Sequence, residues 1–248
     1  MPLGFSRSVL LTASTFPVTD GLELYVNTKE SASYPGSGGT LYDLSATLNP
    51  SAPAATNMTG NANKITATGV QGGNGAFSTA STDKLNDDTH TVLMYFYQTG
   101  FSSGWQKIFG YTPSGSDRSP GVWRYTSRRS WHWRYDPGNS AGAAFGPSGN
   151  DDNGTQFQDN NHYMIGVVKD GGTARSYCNR TQAKTGSVPN PKTAGNSAIN
   201  WQEHGATNIY CDALAIWNRP LTEEEVFSYY DYLKNNFYPT MQDNPPES

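Results

Sequence analysis

Apolar and polar residues change places along this chain in short runs, and the longest orderly stretch is Ile209 to Phe237. Between Ile209 and Asn218, one pleat face carries Ile209, Cys211, Ala213, Ala215 and Trp217, and the other carries Tyr210, Asp212, Leu214, Ile216 and Asn218. One face is wholly apolar and the other mostly so, which predicts a central strand covered on both sides. Arg219-Pro220 ends that ladder, because proline has no amide hydrogen to give it. Thr222 and Glu225 then have the spacing of a capping box, and Leu221 and Val226 that of a hydrophobic staple, so a helix is predicted over Thr222 to Asn236. Its apolar positions Val226, Tyr229, Tyr230, Leu233 and Phe237 recur at helical spacing and turn one stripe toward the body of the domain.

The remaining segments read as strands and loops. Gly21 to Asn27 is a first strand, with Leu22, Leu24 and Val26 on one face. Thr91 to Gln98 is a strongly apolar core strand, and Trp105 to Tyr111 is the next. Gly60 to Thr82 offers two weak strands around the glycine-rich loop Val70 to Gly75. That loop is no phosphate cradle, since no strong helix follows whose N-terminus could hold an anion. Gly138 to Asn161 and Arg180 to Asn208 read as long polar connections. Met1 to Asp20 is an extended arm lying on the domain or on a neighbour, or else a loose terminus. Pro239 to Ser248 is a tail without core-forming pattern, so one domain spans residues 21 to 238.

Gly121 to Asp136 predicts a hairpin. Val122, Arg124 and Thr126 share one face of its first strand, and Trp123 and Tyr125 the other. Beyond the Ser127 to Ser130 turn, Trp131, Trp133 and Tyr135 alternate with His132 and Arg134, so aromatics are expected on one side and cations on the other. Two readings stand. The aromatics fill the sandwich and the cations are solvated, or Arg124, Arg128, Arg129, Trp131, His132, Trp133 and Arg134 form a contact surface for a protein, glycan or anionic partner.

Composition narrows the class. With 26 Gly, 15 Pro and many small polar residues, the chain suits short strands joined by polar loops. A formal charge of −4 opposes a general nucleic-acid binder, which would carry a basic excess. Cys178 and Cys211 both fall within predicted strands, which favours buried free thiols over a cross-strand disulfide. No apolar run approaches the ~20 residues of a membrane span. The Val9-Leu10-Leu11 patch is far shorter than the ~7–15 apolar residues of a secretory signal, so no export by that route is expected.

The stretch Asn218 to Glu225 resembles the C-terminal signature of LamG-like jelly rolls of the concanavalin A-like lectin/glucanase superfamily, in which a last core strand runs into an Asn-Arg-Pro-Leu-Thr/Ser turn and a short acidic helix. Tyr163 to Asn179 is similar to the family's strand, Asp-Gly-Gly hairpin and strand, although Arg180 stands where the family usually has glycine. A type I′ turn there would put Arg180 at positive φ. Gly21 to Ser45 resembles the N-terminal signature of LamG-like domains in tailed-phage virion proteins, although Asn27-Thr28 replaces the usual acidic residue. The resemblance implies an all-β, two-sheet antiparallel jelly-roll sandwich with one short C-terminal helix.

Catalytic chemistry is not legible. Retaining glycosidases need two carboxyl groups only ~5–5.5 Å apart, and no alternating run of acids supplies them. Glu223-Glu224-Glu225 opens a helix, where the dipole favours negative charge. His90, His132, His162 and His204 are scattered without zinc-like spacing. Asp43 and the run Asp151-Asp152-Asn153-Gly154 are the residues one would nominate for calcium, but turn chemistry accounts for both, so no cofactor is expected. The expectation is a non-enzymatic bacteriophage virion protein, a capsid decoration or part of a tail or fibre appendage. It would be made in the host cytoplasm and would contact other virion proteins, with a host-surface glycan as a further partner. The alternative is a carbohydrate-binding, lectin-like module, with a glycoside hydrolase a third reading. Nucleic acid and membrane are not expected partners.

Overall fold

The computed structural model describes residues 15–66, 69–71, 77–80, 82–85, 88–100, 105–112, 120–125, 130–135, 144–145, 157–188, 198–204 and 208–243. In chain order the strands are β1 (Leu22–Asn27), β2 (Thr40–Leu41), β3 (Met58–Gly60), β4 (Ile65–Thr66), β5 (Gly69–Gln71), β6 (Phe77–Thr79), β7 (Thr89–Gln98) and β8 (Trp105–Thr112). They continue with β9 (Gly121–Tyr125), β10 (Ser130–Arg134), β11 (Ala144–Phe145), β12 (Asn161–Asp170), β13 (Thr173–Cys178), β14 (Thr181–Ser187), β15 (Ala198–His204) and β16 (Ile209–Trp217). Among the described residues two α-helices accompany them, the single turn α1 (Ser45–Leu48) and α2 (Glu223–Asn236), with a 3-10 turn at Ala62–Lys64.

The strands form two antiparallel sheets. The first runs β14-β13-β12-β7-β16-β5-β4, with β1 also paired to β16, and the second runs β11-β10-β9-β8-β15-β6-β3-β2. The expected two-sheet sandwich with one C-terminal helix is what the chain forms. Between the sheets lie Val92, Met94, Phe96, Ile165 and Val167 of the first and Ile108, Phe109, Val122, Trp131, Trp133, Ile199 and Trp201 of the second. The outer face of the first sheet carries a second apolar cluster, covered by α2.

That second cluster follows from strand register. Residues paired across a sheet share a face, so Tyr177, Gly166, Leu93, Ala215 and Tyr25 form one transverse row. A Cβ at Gly166 would sit 2.2 Å from Leu93 Cδ2, which is why the residue beside Leu93 in this row is glycine. Val226, Tyr229 and Leu233 of α2 belong to the same cluster. The helix begins as the sequence predicts. Glu225 N donates to Thr222 Oγ1 at 3.2 Å, and Thr222 N donates to Glu225 Oε2 at 2.9 Å. Arg219 adds a fork, Nη1 to Oε2 at 2.9 Å and Nη2 to Oε1 at 2.6 Å, so the turn and the helix cap are one unit.

Several expectations are corrected. β16 does not keep one face: its register slips between Cys211 and Ala213, where these two oppose the consecutive residues Phe96 and Tyr95. Asp212 is the extra residue of a β-bulge, so Ile209, Cys211, Leu214 and Ile216 face the inter-sheet core, and Ala213, Ala215 and Trp217 face the helix. A slip between Leu22 and Leu24 likewise puts Leu22 on the helix side and Leu24 and Val26 inside. The Arg180 to Asn208 connection contains β14 and β15. β14 is a polar edge strand without an apolar face, and hence had no periodic signal. Val70, expected in the glycine-rich loop, lies within β5, and β5 and β6 belong to different sheets. The positive φ of the β13–β14 turn falls on Asn179, at 52°, and not on Arg180, because asparagine tolerates the left-handed region.

The chain ends are partly tied down. Phe16 packs on Tyr25 with ring centroids 4.7 Å apart, and Trp217 Nε1 donates to Val18 O at 2.9 Å. At the other end Met241 is buried, Tyr230 Oη donates to Gln242 O at 2.7 Å, and Arg180 N donates to Asp243 O at 3.0 Å. The described parts of both segments thus lie on the domain, and residues 1–14 and 244–248 fall outside the described residues.

Candidate functional site

The hairpin nominated by the sequence belongs to the interior. Trp131 pairs with Arg124 and Trp133 with Val122, so the inward face combines both tryptophans with the arginine instead of separating them. Trp131, Trp133 and Arg124 are each 0% exposed, and His132 and Arg134 are buried as well. Trp131 stacks on Phe157, centroids 4.8 Å apart. Arg124 Nη1 donates to Gln98 Oε1 and, at 3.2 Å, to Gly100 O, and burial pulls its pKa down to about 9. These five residues therefore present no contact surface, and Arg128 and Arg129 lie outside the described residues.

The described chain offers another place, where α2 stops short of the end of the first sheet. The last row there is His162, Tyr97, Tyr210 and Gln71, on β12, β7, β16 and β5. Beyond Asn236 the chain turns back over this row, and Phe237, Tyr238, Pro239 and Thr240 close a cavity of about 390 Å³ with Lys29, Tyr97, His162 and Asp212. The volume lies in the ~300–1,000 Å³ range of small-ligand sites.

Each wall has a local cause. The bulge turns the Asp212 carboxylate to the helix side, where Oδ1 accepts the Thr28 hydroxyl and lies 3.7 Å from Lys29 Nζ. The Thr28 amide donates to Asp212 O at 2.8 Å, which joins the loop after β1 to the bulge. Gly69 packs against this carboxylate with φ +119°; a Cβ there would lie 2.5 Å from Oδ1. Burial raises the Asp212 pKa to about 6, against the lowering effect of Lys29 and Thr28.

Opposite, the Tyr95 hydroxyl meets His162 Nδ1, and Tyr97 stacks on the imidazole with centroids 4.5 Å apart. Burial and Lys29 together hold His162 below its ordinary pKa. Tyr238 lies parallel to Tyr95, centroids 3.5 Å apart, and its hydroxyl donates to Asn27 Oδ1 at 3.1 Å. Among the described residues the cavity therefore joins aromatic walls to one carboxylate, one imidazole and one ammonium. Sequence reasoning passed over all of these, although a carboxylate inside an otherwise apolar strand was a legible signal at Asp212.

A laminin G-type family model, described as the concanavalin A-like lectin/glucanases superfamily, matches residues 71–227, well over half of the chain. The chain belongs to this superfamily. No curated protein matches its sequence. Among solved structures, this superfamily member is similar to Trypanosoma rangeli sialidase, with a TM-score of 0.59 and 12% identity over 91% of this chain and 34% of that one. It is also similar to the botulinum neurotoxin serotype D binding domain, with a TM-score of 0.58 and 10% identity over 86% of this chain and 52% of that one. The chain thus spans about a third of the sialidase and half of the toxin domain. At these identities the likeness is one of fold.

The residues nominated for calcium are otherwise engaged or lie outside the described parts. Asp43 Oδ1 accepts the amides of Tyr25 at 3.0 Å and Ser45 at 2.9 Å, the second bond closing an Asx turn. Its Oδ2 accepts Thr56 N at 2.9 Å and faces Lys84 Nζ at 3.3 Å, so a buried ammonium neutralises it. The run from Asp151 to Gly154 falls outside the described residues. Cys178 and Cys211 are buried thiols not joined in a disulfide, and burial raises the pKa of both. No described helix is long and apolar enough to cross a membrane.

Proposed function

We propose that the chain is a non-enzymatic carbohydrate-binding module, borne on a tailed-phage particle as a capsid decoration or as part of a tail or fibre appendage. The observation that carries the binding reading is the cavity at the end of α2, with Tyr97, Phe237 and Tyr238 beside Asp212, His162 and Lys29. Aromatic rings suit the C–H faces of a sugar, and convergent polar groups suit its hydroxyls. The non-enzymatic reading rests on the sequence, in which no alternating run of acids supplies the paired carboxyl groups that most glycoside hydrolases use. The particle setting rests on the likeness of Gly21 to Ser45 to virion LamG-like domains.

Two experiments test this. Labelled protein on a glycan array should bind a defined sugar set, and Tyr97→Ala should remove that binding without lowering the melting temperature by more than a few degrees. Binding to no sugar would defeat the carbohydrate reading. Mass spectrometry of purified particles should find the chain as a stoichiometric component, and its absence would defeat the virion reading.

A further inference from the structure

We infer that the cavity selects an uncharged pyranose over acidic and amino sugars, and that Asp212 and His162 are the residues that read its hydroxyls. This rests on the carbohydrate-binding reading above. The first ground is charge balance. Lys29 Nζ lies 3.7 Å from Asp212 Oδ1, so the anion and the full cation that the described residues give the cavity already offset each other. An acidic sugar seated on Lys29 would meet the Asp212 carboxylate, and an amino sugar seated on Asp212 would meet Lys29. A neutral ligand meets neither penalty, and like-charge juxtaposition is a strong source of discrimination.

The second ground is the pairing of donors with acceptors. Oδ1 of Asp212 accepts the Thr28 hydroxyl and lies 3.7 Å from Lys29 Nζ, so the carboxylate's second oxygen is the acceptor assigned to the ligand. Burial holds the Tyr95 phenol far above its ordinary pKa, and in this assignment its hydroxyl donates to His162 Nδ1. The neutral imidazole then carries its hydrogen on Nε2, making that nitrogen a donor. An acceptor and a donor in one small cavity match a hydroxyl, which is both. The aromatic rings of Tyr97, Phe237 and Tyr238 suit the apolar face of the ring that bears it.

The test is titration calorimetry of the full chain against three probe sets: neutral gluco- and galacto-oligosaccharides, sialyllactose, and glucosamine oligomers. The expected result is binding confined to the neutral set, weakened about tenfold or more by Asp212→Asn and by His162→Phe, which keeps a ring against Tyr97 but has no donor. Circular dichroism and melting curves of both variants identify any loss that is only misfolding, and the discrimination between probe sets by the unaltered chain needs no variant. Binding confined to a charged set would overturn this inference and leave the carbohydrate reading standing. Neutral-sugar binding indifferent to both substitutions would overturn the assignment of the two residues. Binding of none of the three would overturn both readings.

Discussion

Thr28 and Asp212 stand 184 residues apart and are joined twice: the Thr28 amide donates to the Asp212 carbonyl at 2.8 Å, and its hydroxyl donates to the Asp212 carboxylate. This double link seats a carboxylate at the floor of the cavity and out of water, at a site where the chain departs from regular strand pairing.

The burial has a pH signature. Asp212 has a folded pKa of about 6, above the ordinary carboxylate value, so the native state prefers it protonated. Its favourable contribution is fully present below about pH 4 and is lost as pH rises through 6. The unaltered protein should therefore lose on the order of 3 kcal/mol relative to Asp212→Asn between pH 4 and pH 7. Urea denaturation of both proteins across that range measures the difference, and a difference that stays flat would show the carboxylate to be solvated.

Trp131→Ala should destabilise the domain by about 3–5 kcal/mol, as large-to-small changes in closed cores do. Trp131 is fully buried and stacked on Phe157. Equilibrium denaturation reads the loss, and an effect below about 1 kcal/mol would place this side chain at the surface after all.

Lys84 and Asp43 form a buried ion pair whose ammonium also donates to Glu23 O. Lys84→Met should cost about 3–5 kcal/mol by leaving the carboxylate uncompensated, and adding Asp43→Asn should restore part of it. A double-mutant cycle by chemical denaturation gives the coupling, and strictly additive losses would mean that the two charges do not interact.

The cap of α2 should be worth less. Thr222→Ala removes one side-chain acceptor at the helix start and should cost about 1 kcal/mol, near 2–4 °C in melting temperature for a domain of this size. Arg219→Ala breaks the fork to Glu225 but leaves the capping bonds, so it should cost less than Thr222→Ala.

What the sequence by itself determined is what short-range chemistry decides. Thr222, Glu225, Leu221 and Val226 specify the start of α2 because a cap needs partners only three to five residues away. The apolar run Thr91 to Gln98 specifies β7, and the Asp170-Gly171-Gly172 turn specifies the β12–β13 hairpin, with Gly171 at φ 56°. Only the tertiary structure decided which face each side chain took. Period two assigns faces within a strand but is reset by one extra residue, and the bulge at Asp212 is set by pairing with β7, more than a hundred residues away. The offset that lays Trp131 against Arg124 is likewise a property of two strands together. The cavity takes Lys29, Tyr97, His162, Asp212 and Tyr238 from five separate segments, and only the pairing of the strands and the return of the chain after α2 bring them within reach of one another.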